Sequence, residues 1–353
     1  MNTFLPHPSW TRRQALGFIV GMSGSFVLKG CTNPNNSSPS TASNLTSIRL
    51  GITPWIGLTP LYIAKESGLF QEVELDLQIR SFSSVQESIP SFVVGQNQGI
   101  VPVISEAVAL AAQGADYRIV LVQDTSVGAD AVLARNSIAS IKDFKGKKIA
   151  VQKGAVSHFF LLQVLAEAGL SEKDVILIDA EPAIAAAAYE AGSVEITCSY
   201  SPYVNQANAN QKDGRIIYDS SKMPSAIADV YAFRTEFIES SQQTVKAFVS
   251  CILKGLDFLN TNPNDGLVLA AKHFDLEPEV LKTQLRGIQL PNVKTNREML
   301  ANPQSDLYLL KPMQAIAEFL KSQNQIETIP DLSNLIDPQF VIALDVASIV
   351  DRA

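Results

Sequence analysis

Ser47-Ile48-Arg49-Leu50-Gly51-Ile52-Thr53 begins the folded part of this chain and, with the elements downstream of it, decides the fold. The stretch alternates apolar and polar side chains and reads as a strand. Leu58–Ser67 then has helical periodicity and stops at Gly68. Val73–Ile79 is a second strand, and Val85–Val94 a second helix stopped by Gly95. Gly99–Ile104 is a short apolar strand, Ser105–Gln113 a helix closed by Gly114, and Tyr117–Val122 another strand. An order of strand, helix, strand, helix implies an α/β fold with a largely parallel sheet covered on both faces.

The pattern restarts downstream. Ile149–Gln152, Val175–Ile178, Val194–Cys198 and Arg215–Tyr218 read as strands, and His158–Ala168 and Pro182–Ala191 as helices that end at glycines. From Gln242 the chain is mostly helical, through Val245–Leu259, Pro263–His273 and Pro312–Lys321. Two sheet lobes with a helical tail predict a cleft between the lobes. Ligands of open α/β sheets bind beyond the carboxyl ends of the strands, and hinge closure can enclose them.

Upstream, Arg12 and Arg13 precede an apolar run from Ala15 to Leu28, which ends in Lys29-Gly30-Cys31. A basic start, a short apolar core and a small residue before a cleavage point make an export signal. The run is about 14 residues, short of the roughly 20 that a spanning helix needs. Gly30-Cys31 resembles a bacterial lipobox, and Thr11-Arg12-Arg13-Gln14-Ala15-Leu16 resembles a twin-arginine signal. The expectation is a signal at 1–30, a lipid on Cys31, and a disordered tether over 31–47 rich in Ser, Asn, Thr and Pro. The protein would then work at the extracytoplasmic, periplasmic face of the membrane.

The chain carries 28 basic and 35 acidic residues, a net charge of −7. Residues 1–30 contain three of the basic residues and no acid, so the mature chain would stand at −10. That argues against a nucleic-acid partner, which needs a basic face. Cys198 and Cys251 would be the cysteines left after Cys31, either a disulfide or two buried thiols. No metal-ligand cluster, phosphate loop or Ser/His/Asp order stands out, so neither a metal, a cofactor nor catalytic residues are expected.

Leu61-Tyr62-Ile63-Ala64-Lys65-Glu66-Ser67-Gly68-Leu69-Phe70 resembles the PL-x-x-A-x-x-x-GLF segment of a family of periplasmic solute-binding proteins. These serve ABC importers for nitrate, taurine, aliphatic sulfonates and the pyrimidine precursor of thiamine. Ile141-Lys142-Asp143-Phe144-Lys145-Gly146-Lys147-Lys148-Ile149-Ala150 is similar to the DLKGKK segment that opens the family's second lobe, with Phe144 in place of leucine. Ala168-Gly169-Leu170 with Lys173-Asp174-Val175, and Tyr200-Ser201-Pro202-Tyr203 for W-x-P-Y, extend the likeness over nearly all of 48–275. Gln98 and Glu195 depart from the aspartates the family often has. The resemblance implies a two-lobe, periplasmic-binding-protein-like (type II) fold with an interlobe cleft. Lobe 1 would be 48–130 and 232–353, and lobe 2 would be 131–231. It also implies a monomer that partners a membrane permease and binds a small molecule. An organic anion or zwitterion, sulfonate- or taurine-like, or nitrate, is the first expectation. A pyrimidine, or an enzyme of thiamine-precursor synthesis on the same fold, is the alternative.

The candidate ligand residues sit on loops at strand ends. Trp55 offers a flat apolar surface with one N–H donor, or packs the lobes together. Ser81, Ser83 and Ser84 before the second helix, and Ser105 at the third, either help a helix N-terminus to hold an anion or simply cap it. Gly154 permits close backbone approach, while Ser157 and His158 donate to a ligand or belong to an ordinary first turn. Tyr200 and Tyr203 supply rings and hydroxyls. Asp124 and Asp130, flanking the crossing at 125–129, bind a cationic amine or brace the hinge.

Overall fold

The computed structural model describes residues 46–223 and 226–345. The expected export signal, Cys31 and all but the end of the tether lie outside the described residues. The expected tether runs to residue 47, but Thr46 and Ser47 already belong to the first strand.

Among the described residues, eleven strands form two sheets. They are β1 Thr46–Ile52, β2 Leu75–Ser81, β3 Gly99–Ile100, β4 Tyr117–Ser126, β5 Asp130–Ala134, β6 Lys148–Val151, β7 Ile176–Asp179, β8 Ile196–Tyr200, β9 Arg215–Asp219, β10 Ala228–Arg234 and β11 Ile288–Gln289. The first sheet has the order β11-β4-β10-β3-β1-β2, and the second β7-β6-β8-β5-β9. β1 is parallel to β2 and β3, and β6 is parallel to β7 and β8. These are the strand–helix–strand units that the alternation predicts.

Both sheets are nevertheless mixed, which corrects the largely parallel expectation. β10 runs antiparallel between β3 and β4, and β5 runs antiparallel between β8 and β9. The reason is the double crossing between sheets. The chain leaves the first sheet at the end of β4 and enters the second directly as β5. It returns from β9 to β10 without a helix long enough to reverse its direction. The boundary expected at residue 231 falls inside β10, all of which lies in the first sheet, so the return comes before Ala228.

A set of hydrogen bonds fastens the crossings to each other. The hydroxyls of Ser126 and Ser220 are 2.7 Å apart, and the Gly128 N–H donates to Ser220 Oγ at 2.7 Å. The N–H groups of Val127 and Ala129 both donate to the Gly287 carbonyl, at 2.7 and 3.1 Å. Ser220 and Ser126 are wholly buried, so each hydroxyl must find its partners within the protein.

Apolar side chains fill the space between sheets and helices, with Ile48, Leu50, Phe70, Tyr117, Phe233 and Phe248 fully buried. The helix Gln242–Thr261 presses on Thr59–Glu66 and ties the C-terminal half to the first lobe. Cys198 and Cys251 are both buried and free, which settles the open alternative in favour of thiols. Among the described residues no helix is long and apolar enough to cross a membrane.

A cleft rich in unsatisfied acceptors

The carboxyl ends of β1, β3, β6 and β8 converge on one narrow cleft. The first lobe contributes Thr53, Trp55, Ser84, Gln86, Glu106, Gln123 and Asp229. The second contributes Asp130, Gln152, Ala155, Val156 and Tyr200. Of the residues singled out from sequence, Trp55, Ser84, Asp130 and Tyr200 line this space. Asp124 stands directly behind Trp55.

Trp55 and Tyr200 meet edge to face across the cleft, with ring centroids 5.8 Å apart and planes at 88°. Such aromatic pairs hold each other in place and leave a ring face for a third group. The indole N–H donates to Asp124 Oδ2 at 2.8 Å, and the Gln123 amide donates to the same oxygen at 3.0 Å. Gly57 makes this possible, because a Cβ there would overlap the Asp124 carboxylate.

Acidic groups dominate the remainder. Burial pushes Asp124 up to about 6 and Asp130 up to about 7, and for Asp130 the nearby Asp124 and Glu106 charges add to the rise. Asp229 is raised well above the ordinary range, by burial first and then by Asp124, Asp130 and Glu106. Asp124 and Asp229 are direct partners across the β4–β10 ladder, where like charges repel. Among the described residues, no lysine or arginine lines the cleft. Several acceptor atoms have no hydrogen-bond partner among those residues: Asp124 Oδ1, Asp130 Oδ2, Gln86 Oε1 and Gln123 Oε1.

Glu106 has a different task. Its carboxylate accepts from the Val103 N–H at 3.1 Å, the Gln86 amide at 3.2 Å and, across the cleft, the Val156 N–H at 3.2 Å. It thus caps the helix Ile104–Ala112 of its own lobe and the helix Val156–Glu167 of the other. The helix start at Gly154–Ser157, expected to receive a ligand anion, already holds a protein carboxylate. Gln86 adds a second strap by donating to the Gly154 carbonyl at 2.8 Å, and Ser83 a third by donating to Glu181 at 2.8 Å.

The other candidates are occupied elsewhere or stand outside the lining. Ser81 is the exposed last residue of β2 rather than a helix-start residue, and Ser83 lies at the lobe contact. Ser84 lines the cleft but also caps Val85–Val93, accepting from the Glu87 N–H at 3.4 Å. Ser105 and Ser157 are buried behind the lining. His158 accepts the Gly154 N–H on Nδ1 at 3.1 Å and has Nε2 3.5 Å from Glu172. Burial is the main influence on His158 and lowers its affinity for a proton. Tyr203 packs at a tilt on Tyr200 from outside. Sequence reading missed Glu106, Gln123 and Asp229. Asp229 lies in β10, a strand that the alternating pattern does not mark. Glu106 had a readable signal, as the third residue of a helix that starts without a serine or aspartate cap.

The pattern of a protein family described as NMT1/THI5 like matches residues 55–266. A Bacillus subtilis (strain 168) protein named for binding aliphatic sulfonates is 28% identical over 335 residues, covering 92% of this chain and 95% of its own. The taurine-binding periplasmic protein of Escherichia coli (strain K12) is 26% identical over 292 residues, covering 79% of this chain and 86% of its own. Among solved structures, the alkanesulfonate-binding protein SsuA from Xanthomonas axonopodis pv. citri, bound to MOPS, superposes with a TM-score of 0.68 at 19% identity. That match covers 83% of this chain and 98% of SsuA, and it shows the same two-lobe fold.

Proposed function

Because the chain belongs to the NMT1/THI5-like family, we propose that it is the solute receptor of an ABC importer. It captures one small organic molecule between its lobes and hands it to a membrane permease. The observation that carries this reading is the cleft: both lobes wall it, Trp55 and Tyr200 cap it, and buried acceptors in and around it have no partner among the described residues. The relatives named for binding and for the periplasm support a place outside the cytoplasm. An export signal at 1–30, a lipid on Cys31 and a tether over 31–45 belong to the same reading, with the receptor working as a monomer. Cys31→Ala is expected to release the protein from bacterial membranes or leave it unprocessed. A mature N-terminus elsewhere, without lipid by mass spectrometry, would sink the anchor.

Of the ligand classes expected from sequence, a zwitterion of taurine's kind fits better than nitrate or a simple sulfonate. A bare anion would enter a cleft without a cation among the described residues, beside several acids, where one helix start is already filled by Glu106. The enzyme alternative would need a reactive group at the ligand. Instead the Cys198 thiol donates to the Ser157 carbonyl and is pushed well up by burial, and His158 is turned toward Gly154 and Glu172.

The test is a titration of the purified chain with taurine and other small solutes, followed by indole fluorescence and calorimetry. One molecule should bind per chain and be recovered unchanged. Trp55→Ala should weaken binding by about tenfold to a hundredfold, as removal of a central aromatic anchor does. Trp55→Phe should lose less, since it keeps a ring over the cleft. An altered product formed in proportion to protein would make the chain an enzyme. An unaffected Trp55→Ala variant would place the ligand elsewhere.

A further inference from the structure

Buried acids and two glutamine amides meet in and around this cleft, and several of their oxygens have no partner among the described residues. Gln123 and Asp130 are 4% and 2% exposed, both line the space, and each has an oxygen without a partner among the described residues. Gln123 Oε1 is the independent witness, because a neutral amide oxygen does not arise from clustering of acids. Its amide nitrogen is already spent on Asp124. Buried acceptors of this kind are matched in proteins by a donor, and no described residue bonds to either of these two oxygens in the structure.

Charge points the same way. Asp130 is the ladder partner of Tyr200, so the acid lies beside one ring of the aromatic pair, and Trp55 supplies the other. A carboxylate next to aromatic faces is the setting that favours an organic cation. A bare metal ion fits poorly, since no three His, Cys, Asp or Glu groups among the described residues are placed to hold one.

We propose that the cleft recognises a positively charged nitrogen carrying N–H groups, a protonated amine or an amidinium-type group. Its N–H groups bond to Asp130 Oδ2 and Gln123 Oε1, with Asp229 alongside and the Trp55–Tyr200 pair over its carbon body. This rests on the receptor reading and names its ligand class. A taurine-like zwitterion is held through its ammonium end, and Glu106, as the protein's own anion at the Val156 helix start, takes the place a bound sulfonate would otherwise use. An aliphatic amine without any sulfonate is then a ligand as well.

The test uses the full purified chain in a thermal-shift and calorimetric panel. The probes are propylamine, propylguanidine, taurine, propanesulfonate, nitrate, tetramethylammonium and calcium ion. The first three should stabilise the protein, while propanesulfonate, nitrate and calcium should not. Tetramethylammonium, a cation without N–H, should bind more weakly than propylamine. Asp130→Asn should weaken propylamine and taurine by roughly tenfold or more, the effect of removing a charged hydrogen bond. Its unliganded melting temperature should hold or rise, because the change relieves repulsion among acids, and that separates loss of binding from loss of fold. Binding of propanesulfonate or nitrate with Asp130→Asn silent overturns the cation inference and leaves the receptor reading standing. Calcium alone binding overturns it in favour of a metal. If no probe of any class binds, the receptor reading falls with it.

Discussion

The ligand-free protein is expected to melt about 5–10 °C higher at pH 5 than at pH 8, the reverse of what paired surface carboxylates would give. Asp124 and Asp130 are held near 6 and 7 in the folded protein, by burial first, and both would titrate near 4 in the unfolded chain. Asp229 and Glu106 are raised as well, again by burial first. Through these four acids the folded state holds more protons than the unfolded one between about pH 4 and 7, and their contribution to stability falls as pH rises through that window, with His158, lowered by burial, opposing part of it. The full benefit is present below the unfolded values and is gone above the folded ones. For Asp130, a rise from near 4 to about 7 is worth about 4 kcal/mol at the limit. Opening of the cleft lets water reach the charges and recovers part of that, so about 2–3 kcal/mol is expected across the four acids. The other titratable groups facing Asp130, namely Tyr200 and Cys198, ionise far above the window, and Tyr231 near Asp124 does too. Glu66, Asp174 and Asp331 are lowered by their partners and act only at more acid pH. Calorimetric melts at constant ionic strength would check this. Asp130→Asn should flatten the profile, and a melting point that climbs steadily from pH 5 to 8 would mean the four acids are hydrated in solution.

The units legible in the sequence are those whose signal is local. Gly68, Gly95, Gly114, Gly169 and Gly192 all have positive φ, and each closes a helix or turn that the alternating pattern marks. The hidden features depend on pairing across long separations. β5 and β10 are short, wholly or almost wholly buried runs, Asp130–Ala134 and Ala228–Arg234, without period-two alternation. Such a run looks the same whether it lies parallel or antiparallel, so the mixed sheets could not be read. The site follows the same division. Trp55, Tyr200 and Asp130 could be singled out because they fall where strands begin or end, and all three line the cleft. The anion preference drew its weight from serines, which are common at helix starts whatever binds there. The acids that surround the cleft come from separate strands and a helix, and their sum becomes visible only when the fold brings them together.

Gly255→Ala is expected to destabilise the protein by about 2 kcal/mol net, a fall of about 5 °C in melting temperature, although alanine is the better helix former. Gly255 sits in the middle of Gln242–Thr261, where this helix crosses Thr59–Glu66. A Cβ there would collide with the Pro60 carbonyl oxygen and lie 3.1 Å from Ala64 Cβ. The carbonyl is backbone and cannot rotate aside, so the helices must separate, at an overpacking cost of roughly 1–3 kcal/mol, occasionally more. Against this stands a propensity gain of about 1 kcal/mol for alanine over glycine in a helix interior. The clash outweighs that gain because the obstacle is main chain, which puts the cost at the upper end of the range. The consequence reaches the cleft, because Thr59 begins the displaced helix and its hydroxyl donates to the Ile56 carbonyl at 2.7 Å, one residue beyond Trp55. The variant should therefore lose ligand affinity as well as heat stability, with the Trp55 fluorescence altered before any ligand is added. Thermal melts and a ligand titration on the same preparation would measure both. A higher melting temperature with unchanged affinity would mean that this helix pair tolerates the extra methyl and that the first lobe does not depend on close contact at Gly255.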